Sequence, residues 1–310
     1  MSFSVKTKNE LARIATKKRC CQSAELAALI KMDGVVQISN GQLALNITND
    51  NAAVARKIFS LLKELMNIHT EILIRRRNRL KKNNSYVVRV SNPEKVKEIL
   101  GKIKVLRKEG GLSYKIGPIV KNKECCKRSY LRGVFLGGGS VNNPEGNYHL
   151  EIITNNSEHA EAIAALLNEY DLSAKTSNRK NWFVVYLKES EQIVELLNLM
   201  GAHNALLNFE NARIYKGVRN KVNRLVNCET ANLNKTVNAA LRQVENIKVI
   251  EQRIGLNKLP SSLREIAEMR LEYPDVSLKE LGELLEPPVG KSGVNHRIRK
   301  LEKIAEKLKS

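Results

Sequence analysis

The chain has 310 residues and carries 53 Lys and Arg against 32 Asp and Glu, a formal net charge of +21. This length suggests about two domains, and the excess of positive charge indicates a polyanionic partner or a membrane surface. Because the sequence contains no apolar stretch long enough for a signal peptide or a membrane span, we expect a cytoplasmic protein that does not bind membranes.

The first third of the chain reads as helix, two strands, helix, two strands, helix, or αββαββα. Gly34 is placed to end the first helix, and Asn40-Gly41 is a strong signal for a tight hairpin between the first two strands. The predicted elements are a helix over 22–33, strands near 35–39 and 42–48, a helix over 50–66, a hairpin over 70–90 and a short helix opened by Pro93.

The same pattern occurs a second time further along the chain. The stretch CCQSAELAALIKMDGVV begins at Cys20 and CCKRSYLRGVFLGGGSV begins at Cys125, an offset of 105 (125 − 20). A period of this length is too long for a solenoid repeat, so it indicates a duplicated domain. We expect copies at about 20–101 and 125–201 within a domain that covers residues 1–220.

The two apolar helices resemble the paired helices of LAGLIDADG homing endonucleases. Residues 26–34 and 131–139 fall on the nine positions of that motif, and the αββαββα order fits the fold. Small residues such as Ala27, Ala28 and Gly133 would let the two helix backbones approach closely. The resemblance implies an α+β fold with a duplicated αββαββα LAGLIDADG-like domain whose concave sheets face DNA.

The same resemblance argues against catalysis. These nucleases place one acidic residue at the base of each helix to hold a divalent metal, and this eighth motif position is Asp33 in the first copy but Gly138 in the second. Because glycine has no side chain to bind metal, we interpret these two positions as a degenerate metal site. Glu145 and Glu151 lie downstream, but nothing in their spacing directs them towards Asp33. A metal-dependent endonuclease remains the alternative.

The sequence predicts neither a metal site nor a cofactor. Its five cysteines are Cys20, Cys21, Cys125, Cys126 and Cys228. None of them has the Cys-x-x-Cys spacing of zinc sites or of redox motifs, and neighbours in a Cys-Cys pair rarely bond to each other. We therefore expect reduced and mostly buried thiols.

A basic hairpin follows the second helix of the first copy. In EILIRRRNRLKK, residues 71–82, strand alternation places Arg75, Arg77, Arg79 and Lys81 on one face. The LAGLIDADG resemblance puts this row where DNA phosphates would lie. The alternative is a solvated edge hairpin whose charges prevent aggregation. The matching hairpin of the second copy, from Lys175 to Leu187, is less basic.

The C-terminal part of the chain reads as all-helical. We expect a helical linker over 221–258 and a helix-turn-helix domain over 259–310. Its predicted elements are a helix over 263–271, a helix opened by a capping box at Ser277 with Leu278, Leu281, Leu284 and Leu285 inward, and a helix capped by Ser292 that ends near Lys307.

The last helix has the pattern of a recognition helix. Val294, Ile298, Leu301 and Ala305 share one face, so the basic and amide side chains lie elsewhere. Side chains of these types can read bases in the major groove. The candidate DNA-binding residues are Ser292, Asn295, His296, Arg297, Arg299, Lys300 and Lys303. The alternative is a solvated amphipathic helix.

Taken together, the chain resembles the bacterial WhiA family. The stretches that carry the resemblance are SFSVKTKNEL, YLRGVFLGGGSVNNPEGNYHLEI and YPDVSLKELGELLEPPVGKSGVNHRIRKLEKIA. It implies a non-catalytic, nucleoid-associated regulator of transcription that binds double-stranded DNA and acts in cell division, chromosome segregation and, in spore formers, sporulation. RNA polymerase, a sigma factor or other regulators are the implied protein partners, and a basic scaffold for acidic partners is a further alternative.

Overall fold

The computed structural model describes residues 1–39, 42–68, 70–76, 84–105 and 113–309. The chain forms two compact units, Met1–Lys216 and Gly217–Ser310, and each is described by itself below. None of the helices formed by the described residues combines the length and the apolar composition that a membrane crossing needs.

The first unit contains two helix–sheet repeats preceded by a short helix. Its elements are α1 (Phe3–Ala12), α2 (Arg19–Asp33), β1 (Gly34–Ser39), β2 (Gln42–Asn49), α3 (Ala52–Met66), β3 (Glu71–Arg76), β4 (Asn84–Val90), α4 (Pro93–Lys102), α5 (Pro118–Asn122), α6 (Glu124–Gly138), β5 (Gly139–Val141), β6 (Leu150–Thr154), α7 (Ser157–Asn168), β7 (Lys175–Arg179), β8 (Trp182–Leu187), α8 (Ser190–Met200) and the beginning of α9 (His203–Ile254).

The predicted αββαββα order is confirmed in both copies. Each copy has a four-stranded antiparallel sheet, in the order β1-β2-β4-β3 or β5-β6-β8-β7. Asn51, Asn92 and Asn156 accept hydrogen bonds from the first turns of α3, α4 and α7, which is why these helices begin where they do. The predicted Asn40-Gly41 hairpin lies outside the described residues.

The two central helices, α2 and α6, pack closely against each other. A Cβ atom added to Gly133 would lie 2.5 Å from the backbone oxygen of Glu25 and 2.8 Å from the Cβ of Ala28. Only glycine fits such an approach, so the predicted close contact between the two backbones is confirmed at this position. Gly34 and Gly139 follow the two helices directly and begin the first strand of each sheet.

A buried ion pair links these two helices, and the sequence analysis did not predict it. The guanidinium of Arg132 donates to both carboxylate oxygens of Glu25, at 3.1 and 2.9 Å. Lys57 of α3 lies 3.6 Å from the same carboxylate. Glu25 is fully buried, and a buried carboxylate needs such charged partners.

Helix α1 was not predicted, and it is firmly attached to the first unit. The carboxylate of Glu10 accepts hydrogen bonds from the backbone N–H groups of Asn204 at 2.8 Å and Ala205 at 2.9 Å, so it caps the N-terminus of α9. The ring of Phe3 lies 6.3 Å from that of Phe209, and Leu11 is fully buried. The first and last segments of this unit are therefore in contact.

The second unit has its own apolar core. It consists of the rest of α9, a short 3-10 helix (Leu256–Lys258), α10 (Ser261–Glu272), α11 (Leu278–Glu283) and α12 (Lys291–Lys309). The predicted capping box at Ser277 is confirmed, since its hydroxyl accepts from the Glu280 N–H and the Glu280 carboxylate accepts from the Ser277 N–H.

Two details of the sequence prediction for this unit were wrong. Ser292 does not cap α12, because the helix already begins at Lys291 and the Val294 N–H donates to the carbonyl of Gly290. Leu284 is not inward. It follows the short helix α11 and is 42% exposed, whereas Leu281 and Leu285 are buried.

Candidate nucleic-acid-binding surfaces

A cleft of about 1450 Å³ runs beside α1, α2 and α3 and reaches the C-terminal ends of the two central helices. Asp33, Gly137 and Glu151 line it, together with residues of α1 and α3. The Oδ2 atom of Asp33 accepts a 2.6 Å hydrogen bond from Asn49 Nδ2. Burial raises the pKa of Asp33 from its usual 3.8 to about 6, although Asn49 and the ammonium of Lys8 oppose the shift.

The second motif position has no room for a side chain. A Cβ atom added to Gly138 would collide with the backbone oxygen of Ile153 on β6 and with the side chain of Met32. At Gly137 an added Cβ would lie 2.5 Å from the Cβ of Met32 and 3.5 Å from Asp33 Oδ2. A carboxylate could therefore not be introduced at residue 138 without moving a strand of the second sheet.

One of the two downstream carboxylates does reach this cleft. Glu151 lines it, which the sequence spacing did not indicate, whereas Glu145 is not among the residues that line it. The Oε2 atom of Glu151 lies 3.2 Å from His149 Nε2 and 3.2 Å from Arg179 Nη1. Its carboxylate is thus already engaged by neighbours on the second sheet.

Helix α1 places a lysine beside the remaining motif carboxylate. Lys8 lines the cleft, and burial lowers the pKa of its ammonium, while the carboxylates of Asp33 and Asp50 oppose that shift. A cation bound at Asp33 would meet this positive charge. This contact could not be predicted from the sequence, because α2 separates Lys8 from Asp33 along the chain and α1 carries no recognisable motif.

The first sheet has one face packed on the helices and one face turned away from them, here called its outer face. Val88 and Leu45 belong to the helix-side core. Since Ile72 pairs with Val88, alternation places Arg75 on the outer face, together with Arg89, and Arg75 is exposed. The other three members of the predicted basic row, Arg77, Arg79 and Lys81, lie outside the described residues.

The outer face of the second sheet combines basic and aromatic side chains. Lys175 pairs with Tyr186, and Arg179 pairs with Trp182, so all four share one face. Trp182 is 52% exposed, and His149 stacks on Tyr186 with 5.9 Å between ring centroids. This face is therefore a stronger candidate for contact with nucleic acid than its charge alone indicated.

Helix α12 has the two faces that its sequence predicts. Val294, Ile298, Leu301 and Ala305 are all buried in the core of the second unit. The predicted DNA-binding side chains that are exposed are Ser292, His296, Arg299, Lys300 and Lys303. They form a polar surface along the helix. Asn295 is only partly exposed, at the edge of this surface.

Arg297, the remaining residue among the seven predicted to bind DNA, has partners within the second unit. Its Nη1 atom lies 3.6 Å from Glu265 Oε2 and donates to the carbonyl of Ser262 at 3.4 Å. Both partners belong to α10, so Arg297 holds α12 against that helix. The helical period of the sequence could not distinguish Arg297 from the exposed cations beside it.

A buried arginine fixes the turn that precedes α11, and the sequence analysis also missed it. Arg270 is 1% exposed, and its Nη1 atom donates to the carbonyls of Tyr273, Pro274 and Val276, at 3.3, 3.3 and 2.7 Å. These three carbonyl groups belong to the turn between α10 and α11, so the bonds hold that turn in place. They help to set the position of α11 beside α12.

Three family models match the chain. The WhiA N-terminal LAGLIDADG-like domain matches residues 19–106, the WhiA LAGLIDADG-like domain matches residues 127–219, and the WhiA C-terminal HTH domain matches residues 222–305. The predicted fold classes, a duplicated LAGLIDADG-like domain and a helix-turn-helix domain, are thereby confirmed.

Similar proteins extend over the full chain. A probable cell division protein WhiA of Desulforamulus reducens is 64% identical, covering 100% of this chain and 97% of the relative. A protein of the same name from Heliobacterium modesticaldum is 60% identical, over 99% of this chain and 96% of its own length. The crystal structure of full-length DUF199/WhiA from Thermatoga maritima is 26% identical with a TM-score of 0.61, and 99% of each chain is covered.

Proposed function

The chain belongs to the WhiA family, and we propose that it is a non-catalytic DNA-binding protein that regulates transcription during cell division. The observation that carries the proposal is the exposed surface of α12, where Arg299, Lys300 and Lys303 lie opposite a buried apolar stripe. Such a surface suits a helix that enters the major groove of duplex DNA. The names of the relatives support the link to cell division.

In the division of labour that we propose, α12 recognises bases and contacts the phosphates beside them, and the two sheets make further phosphate contacts that carry no sequence information. Arg299 and Asn295 are side chains of the types that read guanine and adenine edges. The outer faces carry Arg75 on one sheet and Lys175 and Arg179 on the other, which suits contacts that position DNA without reading its sequence. The net charge of +21 suits such a partner.

The absence of catalysis is part of the proposal and is supported by three features of the cleft. Gly138 has no space for a carboxylate, Lys8 places a cation near Asp33, and burial raises the pKa of Asp33 so that it binds a proton more readily than an ordinary aspartate. Metal-assisted hydrolysis of DNA needs carboxylates that hold the metal over the scissile phosphate. These features oppose that use.

The wider role that we propose is that of a nucleoid-associated, cytoplasmic regulator. Chromosome segregation and, where the organism forms spores, sporulation are the processes that we expect it to influence besides cell division. RNA polymerase, a sigma factor or another regulator would then contact the DNA-bound protein. These expectations depend on the family resemblance and not on a contact seen in either unit.

The test is a salt titration of duplex binding with the full chain and two matched triple variants. The first variant replaces Arg299, Lys300 and Lys303 with Ala, and the control replaces three exposed cations of the same unit, Lys248, Arg253 and Lys258. We expect the first variant to lose about two to three units of the slope of log affinity against log salt, because each phosphate contact contributes about 0.9. The control should keep the wild-type slope.

Two outcomes would contradict the proposal. If both triple variants lose the same amount, α12 contributes only through overall charge. If the wild-type chain does not bind duplex DNA at physiological salt, the basic faces must serve another partner, and an acidic protein becomes the better candidate.

A further inference from the structure

The duplication brings two cysteine pairs together at the N-terminal ends of the two central helices. Cys20 and Cys21 lie in the first turn of α2, and Cys125 and Cys126 lie in the first turn of α6. All four Sγ atoms are within 4.8 Å of one another. Among the described residues, this is the one group of three or more His, Cys, Asp or Glu side chains that is close enough to hold a metal ion.

We propose that these four cysteines bind a single Zn²⁺ ion, which fastens the N-terminal ends of α2 and α6 to each other. Neither Cys-Cys pair alone has the Cys-x-x-Cys spacing that is typical of zinc ligands, and for this reason the sequence did not predict a zinc site. The fold supplies the missing relationship, because a domain duplication places each pair on one of two adjacent helices. Two ligands from each copy complete a set of four.

The size of the group fits one ion. Zinc binds thiolates at about 2.3 Å in a tetrahedron, which places the sulfur atoms roughly 3.8 Å from one another. The Sγ atoms of Cys20 and Cys21 are 4.0 Å apart, and the whole group stays within 4.8 Å. Small rotations of the side chains would close the difference. An iron–sulfur cluster contains several metal ions and sulfides between its cysteines and needs a wider cage.

The surroundings favour the charge that such a site would have. Four thiolates around Zn²⁺ carry a net charge of −2, and both pairs sit at helix N-termini, where the helix dipole stabilises negative charge. The residues at the two N-cap positions are Lys18 and Lys123, and neither makes a side-chain capping bond. Cationic side chains therefore stand at the position that Asn occupies in α3, α4 and α7 of the same unit.

The burial of the four thiols indicates a structural site. Cys21 and Cys126 are buried, while Cys20 and Cys125 are partly exposed and give an ion a route from solvent. Four protein ligands leave no open position for water or a substrate, which is typical of zinc sites that stabilise a fold. The fifth cysteine, Cys228, is exposed on α9 and serves as a control.

The experiment measures metal in the full chain, purified without a polyhistidine tag, without chelators and with a reductant. We expect inductively coupled plasma mass spectrometry to find about one equivalent of zinc per chain. Co²⁺ exchanged for zinc should give the intense visible bands of tetrahedral thiolate coordination. The variant Cys20→Ser/Cys125→Ser should lose both signals, and Cys228→Ser should keep both.

A second measurement does not depend on the folding of a variant. The wild-type chain is stripped with a chelator, its four thiols are verified as reduced, and Zn²⁺ or Co²⁺ is added back in equimolar amount. We expect the stripped chain to bind the added ion and to melt at a higher temperature with the ion than without it, and this result supports the proposal. A reduced wild-type chain that binds neither ion overturns it, as does a native chain whose mass shows that these cysteines are joined in disulfides.

Discussion

The carboxylate of Asp33 is hydrogen-bonded to the side chain of Asn49, with 2.6 Å between Oδ2 and Nδ2. Here the carboxylate lies in a cleft bordered by α1, and Lys8 lies near enough for its charge to affect the carboxylate. Its ionisation therefore bears on the stability of the fold.

Replacing Asp33 with Asn should change the pH dependence of stability. The folded-state pKa of Asp33 is raised to about 6 from 3.8, so its protonated form contributes stability that is fully present below about pH 4 and is lost as pH rises through 6. The variant avoids this loss, so its stability relative to wild type should rise by about 3 kcal/mol between pH 4 and pH 8. Denaturant unfolding at a series of pH values measures the difference.

The control for this experiment is Asp275→Asn, at an exposed position of the second unit. It removes a carboxylate without removing a buried one, so its unfolding should follow the wild-type pH profile. If Asp33→Asn also follows that profile, Asp33 is ionised as readily as a carboxylate in water.

Purified protein should leave DNA intact in the presence of Mg²⁺ or Mn²⁺. The reason is that a side chain at residue 138 would collide with the backbone of β6, so no second carboxylate occupies that motif position opposite Asp33. Supercoiled and linear DNA are incubated with the full chain and analysed on gels. Reproducible cleavage that disappears in Asp33→Ala would show that Glu151 or another group completes a metal site.

Removing Arg132 should destabilise the first unit strongly. Arg132→Met would leave the fully buried Glu25 with Lys57 alone, and breaking a buried ion pair costs about 3–5 kcal/mol. The double variant Glu25→Gln/Arg132→Met should cost less than the sum of the two single variants, because neither Glu25 nor Arg132 is then left charged without the other, while Lys57 loses its carboxylate partner both in the double variant and in Glu25→Gln alone. Denaturant unfolding of the four proteins of this cycle gives the coupling.

The control is the ion pair between Arg213 and Glu191, which is more exposed than that between Arg132 and Glu25. Arg213 Nη1 lies 2.6 Å from Glu191 Oε1. Surface ion pairs contribute about 0–1 kcal/mol, so Arg213→Met should have a small effect. Equal losses in Arg132→Met and Arg213→Met would mean that the pair between α2 and α6 has no special importance.

Alanine at Arg299 or Asn295 should reduce sequence discrimination. If these side chains read base edges, each variant should cost about 1–3 kcal/mol on the preferred duplex and little on random DNA. The preferred duplex is first selected from a random pool with the full chain, and binding is then measured by fluorescence anisotropy. The same loss on both duplexes would mean that the two side chains contact only phosphate.

Replacing Arg75, Arg77, Arg79 and Lys81 with Gln should weaken binding without changing the preferred sequence. If the row contacts phosphates, the slope of log affinity against log salt should fall by about two to four units. The control replaces four exposed lysines elsewhere in the first unit, Lys63, Lys97, Lys102 and Lys104. An unchanged slope would leave the hairpin as a solvated edge, and a changed preferred sequence would assign base reading to the repeat domain.

Local patterns in the sequence were sufficient for the elements of the two repeats and for the close contact between α2 and α6, although not for α1. Gly34 marks the end of α2, the capping box at Ser277 marks the start of α11, and Gly133 marks the close approach of α2 and α6. The apolar period of α12 identified its buried stripe. Each of these signals acts within one helical turn or within one motif, so it can be read without knowing the fold.

Contacts between distant parts of the chain could not be predicted in this way. Glu25 meets Arg132 across the duplication, and Lys8 approaches Asp33 from a helix without a motif. The four cysteines are adjacent only in pairs along the chain, and their assembly depends on the geometry of α2 against α6. Arg297 was counted among the DNA-binding residues because the helical period of α12 does not show that Glu265 of α10 lies beside it.

The attachment of α1 to α9 has a consequence for biosynthesis. Glu10 caps the N–H groups of Asn204 and Ala205, which are synthesised nearly two hundred residues later. During translation α1 can pack on α3 and α6 before it makes this bond to α9. The attachment of α1 to α9 is therefore completed only when the last helix of the first unit emerges, and until then α1 is held less firmly and is more open to chaperones and proteases than in the finished unit.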